Sequence, residues 1–150
     1  MMRRLLLLAA LVLAPIAAGA QEERVHALMA AARGGDTASL QKLLDSGVDA
    51  NATDSHGFNA LVPAIRSGNA EAVRLLLERG ANPNIRSRVV GLTPLMAAAA
   101  HGDLLAIEAL LARGAQLNAR ADDGSTALGF AEMKGRYEAA RYLERRGALK

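Results

Sequence analysis

Apolar residues along this chain fall into short helical stripes separated by glycines. Few alternating Val/Ile/Thr runs appear, so a sheet domain is not expected. The pattern is clearest between Gly91 and Asn118. Thr93 is placed to cap a helix, because its hydroxyl can accept a bond from an otherwise orphaned backbone N–H. Pro94 follows at the first helical position, where its missing N–H costs nothing. An Ala-rich run then ends at Gly102. A Leu/Ile stripe continues from Asp103 to about Arg113, and Gly114 stops it in the left-handed conformation that glycine adopts freely. The stretch predicts a turn, a short helix, a second turn and a second helix.

The rest of the chain repeats this unit. The helix-stopping glycines Gly47, Gly80, Gly114 and Gly147 are separated by 33, 34 and 33 residues. The mid-unit glycines Gly35, Gly68, Gly102 and Gly135 each lie 12 residues before their partners. Gly57, Gly91 and Gly124 open the projecting turns, each 11 residues before the next mid-unit glycine. Agreement in three registers does not arise by chance.

The unit resembles the ankyrin repeat. Gly91-Leu92-Thr93-Pro94-Leu95-Met96-Ala97-Ala98 carries the Gly-x-Thr-Pro-Leu-x-x-Ala pattern, with Met96 where the family usually has His. Gly57–Leu61 and Gly124–Leu128 are degenerate copies of its opening, and Val73–Asn84 and Leu43–Asn51 match its second half. The resemblance covers about Arg24 to Lys150 and implies an all-α repeat solenoid of four helix-turn-helix units with projecting turns. The units run about 22–53, 54–86, 87–120 and 121–150, within a domain of residues 21–150. In the first, Arg24 replaces the turn glycine, and Val25–Ala32 is the expected first helix behind the polar edge Glu22-Glu23-Arg24. In the fourth, Glu144 stands where Leu77 and Leu111 stand in the preceding units, as suits a wetted terminal cap. Both ends therefore read as closed. The third unit has one extra turn residue, since Asn84 to Gly91 spans seven positions against six for Asn51 to Gly57.

Helix stacking in such an array needs small residues, and Ala31, Ala32, Ala64, Ala98, Ala99 and Ala131 provide them. Asn51, Asn84 and Asn118 recur after the helix stops, where an amide is expected to bond the backbone of the projecting turn. Pro63 falls early in its helix and predicts a slight bend.

The first twenty residues have a different character. Arg3 and Arg4 form a positive start, Leu5–Ala14 an apolar run too short to span a bilayer comfortably, and Pro15 is expected to break it. Ala18-Gly19-Ala20 puts small residues before Gln21. This resembles a signal peptide over 1–20, cleaved after Ala20, and implies a periplasmic or secreted protein. An uncleaved N-terminal anchor is the alternative. Arg- and Ala-rich composition favours a Gram-negative periplasm, with export to the medium or a eukaryotic secretory route as alternatives. Loss of Arg3 and Arg4 lowers the formal charge from +3 to +1, which removes the apparent basicity and with it the case for nucleic-acid or membrane partners. The chain has no Cys, so neither a disulfide framework nor a lipidated cysteine is available.

Candidate chemistry is sparse. His26, His56 and His101 form no His-Glu-x-x-His motif, and neither a nucleophile elbow nor a phosphate-binding loop appears. Asp122-Asp123-Gly124 lacks the other ligands of a calcium loop. No catalytic residue, cofactor or metal is expected. An enzyme or metal-dependent protein on an ankyrin scaffold is the alternative, resting on His56, His101 and the Asp122-Asp123 tip. Binding of a protein partner by a monomeric array, through its concave face and turn tips, is the principal expectation. A subunit docked permanently on one enzyme is a third reading.

The resemblance places His56, Phe58, Arg66, Val89, Val90, Leu92, His101, Asp122 and Asp123 at positions free to vary, with Arg88 beside them. Phe58, Val89, Val90 and Leu92 are apolar where solvent is expected, rimmed by Arg66, Arg86, Arg88 and the histidines. Such a cluster reads as an interaction surface. Alternatively, Val89 and Val90 tuck beneath the enlarged turn. On the first reading, serine at Phe58 and Leu92 abolishes capture without unfolding the domain.

Overall fold

The computed structural model describes the backbone of residues 2–150 and the side chains of residues 18–150. Among these residues there are eight helices and no strand. They form four consecutive pairs: α1 (Met2–Gly34) with α2 (Thr37–Asp45), α3 (Leu61–Arg66) with α4 (Ala70–Glu78), α5 (Pro94–His101) with α6 (Leu104–Ala112), and α7 (Ala127–Met133) with α8 (Tyr137–Arg145). The first helices pack in the order α1, α3, α5, α7, and α2, α4 and α6 form a second row behind them. This is the all-α repeat solenoid that the resemblance to the ankyrin repeat implies.

Each pair is delimited by local chemistry. Thr93 and Thr126 accept backbone N–H groups at the starts of α5 and α7. Asp36, Asn69 and Asp103 cap α2, α4 and α6 in the same manner. A side-chain cap of this kind contributes on the order of 1 kcal/mol. Beyond α6, Gly114 takes φ +88°, and the Ala115 N–H reaches back to the Leu110 carbonyl at 2.9 Å.

The core repeats with the sequence. Leu28, Leu61, Leu95 and Leu128 occupy equivalent places and are all fully buried, each adding roughly 1.5–3 kcal/mol. The six expected stacking alanines are buried as well. Leu44 and Leu77 are buried, Leu111 is half-buried, and Glu144 at the equivalent place in α8 is exposed. At the other end of the array, α1 exposes Ala27 and Ala30 rather than a wholly polar face.

Three local expectations are revised. First, α1 extends far beyond Val25–Ala32, from Met2 to Gly34. No cap separates residues 20 and 25, and Gln21, Glu22, Glu23 and Arg24 are good helix formers. The backbone stays helical at Pro15, where a break was expected. The side chains of Arg3, Arg4 and the apolar run to Ala14 lie outside the described residues. Arg24 does more than wet an edge: its Nη2 donates to the Ser46 carbonyl and hydroxyl, both at 2.7 Å.

Second, Pro63 acts at the start of its helix. The equivalent residue Ala97 donates the first helical bond of its pair, to Thr93 O at 3.1 Å. Pro63 has no N–H to donate, so the first such bond in α3 is Ala64 N–H to Ala60 O at 3.1 Å. The helix therefore begins at Leu61 and spans six residues against eight in α5.

Third, the recurring asparagines bond backbone of the following unit. Asn51 Nδ2 donates to Gly80 O at 2.9 Å, and its Oδ1 accepts Asn82 N–H at 2.6 Å. Asn84 repeats both bonds with Gly114 O and Gln116 N–H. Asn118 Oδ1 accepts Leu149 N–H at 2.8 Å. They tie one unit to the next.

Candidate functional site

The projecting turns are closed by backbone bonds. Asp54 N–H donates to Phe58 O, and Ala121 N–H to Ser125 O, both at 2.9 Å. In the third unit Ser87 N–H reaches Leu92 O at 2.9 Å, one residue further on. Successive tips also pair: Arg88 N–H donates to His56 O at 2.8 Å, and Asp122 N–H to Val90 O at 3.0 Å. The bonded residues Arg88 and Val90 flank Val89, so Val89 is the inserted residue, and the ladder accommodates it as a bulge.

This geometry decides between the two readings of the valine pair. Val89 is 69% exposed and Val90 51%. Neither tucks under the turn, because Ser87 lies there instead: it is buried, and its hydroxyl accepts Leu92 N–H at 3.0 Å. Phe58 and Leu92 behave differently from the expectation. Both are half-buried and pack against the core. Serine at either place removes core contacts, so such variants do not isolate binding.

The expected single cluster is split between two hollows. Val89, Val90 and Leu92 line one of about 430 Å³ with Asp122, Asp123 and Phe130. His56, Phe58 and Arg66 line another, of about 380 Å³, with Arg33, Asp54 and Pro63. Arg88 is exposed, and its stem lies over Gly57, where an added Cβ would meet Arg88 Cγ at 2.8 Å. His101 borders a third hollow with Arg136 and Tyr137. His56 and His101 thus line different recesses, whereas His26 joins His56 at the end of the array nearest α1. Among the described residues, no three His, Asp or Glu side chains are grouped as a metal would require.

Charge at the valine hollow is arranged by the turns. Arg86 Nη2 pairs with Asp122 Oδ1 at 3.3 Å, while its Nη1 donates to Arg120 O at 2.6 Å. The pair passes over Gly91, whose φ is +66°; a Cβ there would run into both Asp122 Oδ1 and Arg86 Nη2. Asp123 Oδ1 accepts Ser125 N–H at 2.9 Å. That bond, and then the Ser125 hydroxyl, hold the Asp123 carboxyl below its ordinary value. Both aspartates remain exposed. Phe130 was not among the residues singled out from the sequence. It stands in α7 where Ala97 and Pro63 stand in the earlier units, and that replacement of a small residue by an aromatic was a readable signal.

Residues 5–87 match a family model described as ankyrin repeats in three copies. A second model, ankyrin repeats in many copies, matches residues 95–144. The chain is an ankyrin repeat protein. The first match begins at residue 5, ahead of the start near Arg24 read from the glycine registers. The enlarged turn of the array, with Val89, lies between the two matched segments. No curated protein matches the chain. Ankyrin repeats are protein-interaction modules. Among the described residues, no helix is long and apolar enough to cross a membrane.

Proposed function

We propose that this ankyrin array is a non-catalytic, monomeric binding module, exported to the periplasm and cleaved after Ala20. It engages a protein partner through its turn tips and concave face, with neither nucleic acid nor membrane as ligand. The observation that carries the reading is the exposure of Val89 and Val90 on a bulged turn beside the hollow of Leu92 and Phe130. Two neighbouring valines held in water by a closed hydrogen-bonded ladder cost solvation without adding to the core. Covering them with a partner supplies affinity through a few residues. Val90 sits at the centre of this contact, and Asp122 and Asp123 rim it. His56, Phe58, Arg66, Arg88 and His101 extend the surface along the units, with Phe58 acting chiefly as floor.

The test is capture of a partner from periplasmic extract by immobilised protein, compared with a Val89→Ser/Val90→Ser variant. The expected result is loss of the captured protein with an unchanged melting curve. Equal capture by the variant overturns the reading. Export is tested separately by fractionation and N-terminal sequencing, with Gln21 expected as the first residue of the mature chain.

A further inference from the structure

Arg33 and Arg66 occupy equivalent places, one unit apart, at the ends of α1 and α3. Both are exposed, and both border the same hollow of about 380 Å³. Among the described residues neither guanidinium is engaged in a salt bridge or a hydrogen bond, which holds also for Arg74, Arg88, Arg113, Arg141 and Arg145; Arg33 and Arg66 differ from these in bordering one common hollow. A cation at a helix end interacts favourably with the last carbonyls. That accounts for each arginine singly, but not for two of them converging on a recess floored by Phe58 and Pro63. The recess also holds the Asp54 carboxylate, which is tied to its own turn through one oxygen. Its Oδ1 accepts His56 N–H at 2.9 Å and Phe58 N–H at 3.0 Å. His56 adds a further imidazole at the rim.

We propose that this recess binds a carboxylate from an acidic, extended segment of the protein partner, with the apolar side chain two residues along, on the same face of the segment, seated against Phe58 and Pro63. A guanidinium presents parallel donors that match a carboxylate, and two of them on one recess select for negative charge. The valine hollow two units along carries Asp122 and Asp123 and lacks a free cation at its wall, so the acidic residue is drawn to the first recess and not the second. The proposal rests on the reading of the array as a protein-binding module, and names the chemistry of one end of its partner.

The test uses an eight-residue peptide of two Glu-Ser-Leu-Ser repeats, which puts glutamate and leucine on one face of the extended chain, amidated at its carboxyl end and carrying a neutral fluorophore, titrated by fluorescence anisotropy. The same peptide with glutamine for glutamate is the control. The glutamate peptide is expected to bind at least tenfold more tightly than the glutamine peptide, and to weaken as salt is raised. It should lose at least tenfold with Arg33→Gln/Arg66→Gln, and change less than twofold with Val89→Ser/Val90→Ser. Equal binding of the two peptides overturns the proposal, as does undiminished binding by a folded Arg33→Gln/Arg66→Gln variant. Displacement of the peptide by inorganic phosphate at matched ionic strength also overturns it, since the recess would then be a general anion site. If the double variant does not fold, the comparison of peptides on the unaltered protein decides. Failure here leaves the valine-dependent capture untouched, so the two readings fail separately.

Discussion

Asn84 and Gln116 lie in successive units, yet the Asn84 side chain accepts Gln116 N–H at 2.8 Å while donating to Gly114 O at 3.0 Å. Both bonds reach the backbone just after the stop of α6. Replacing Asn84 by Ala leaves that donor and acceptor without a protein partner in a half-solvated place. The expected loss is about 1–2 kcal/mol, read from urea unfolding, with the transition broadened as coupling between units falls. An unchanged midpoint and slope would show that water replaces the clamp without penalty.

Two turn glycines should respond differently to the same change. Gly91 and Gly124 both have positive φ, +66° and +85°. A Cβ at Gly124 meets nothing, whereas at Gly91 it collides with Asp122 and Arg86. Gly124→Ala is therefore expected to cost only the backbone term, roughly 1–2 kcal/mol. Gly91→Ala should cost more, because the Arg86–Asp122 pair must open. Urea midpoints of the two variants compared side by side decide this; equal losses would mean that the pair yields freely.

Phe58 is expected to behave as a core residue. Its ring is half-buried and packs against the buried cluster. Phe58→Ser should destabilise the array by about 1–3 kcal/mol, with a lower melting temperature. A variant of wild-type stability would restore the solvent-facing assignment made from its position in the unit.

Deleting Val89 should separate fold from binding. The ladder bonds lie on either side of it, at Arg88 N–H and Val90 O, and the shortened turn then matches those of the neighbouring units in length. Stability is expected to change by no more than about 0.5 kcal/mol while partner capture is lost. Loss of folding on deletion would instead make the bulge a structural requirement of the third unit.

The acid response has a definite sign. Asp36 is held below its ordinary value by the Ser39 hydroxyl and then the Ser39 N–H, and Asp123 by the Ser125 N–H and then its hydroxyl. A depressed folded value means that the ionised form favours the native state. The contribution is fully present above the ordinary carboxylate value, near pH 4, and is lost as pH falls through the lower folded values. Replacing both residues by Asn should flatten the fall in stability below about pH 4 and leave the pH dependence between 5 and 7 unaltered. Urea midpoints across pH 2–7 measure both arms; an acid limb identical to wild type would rule these two carboxyls out as its source.

Much of the fold was legible in the sequence because it is local. Glycine spacing, Thr93 and Pro94 at a helix start, and short Leu-rich stripes each act over a few residues, and stacking repeats the same result four times. Burial of Leu28, Leu61, Leu95 and Leu128 in one register follows from that repetition. Pro63 shows the limit: its lost hydrogen bond was foreseeable, but where the loss falls depends on which residue opens the helix.

The binding surface was legible only as a set of positions. Sequence alone determined that the third unit carries one extra turn residue, that Asp122 and Asp123 stand at a tip, and that Phe58 is apolar where solvent is expected. Tertiary structure decided what those residues face. The tip-to-tip bonds from Arg88 to His56 and from Asp122 to Val90 hold the valines in water. Packing against the core draws Phe58 and Leu92 inward, and α7 brings Phe130 to the valine hollow. The same arrangement sets Arg33 beside Arg66 across a boundary between units. These are contacts between residues about one repeat apart, and their directions are fixed by stacking, which a pattern within a single unit does not encode.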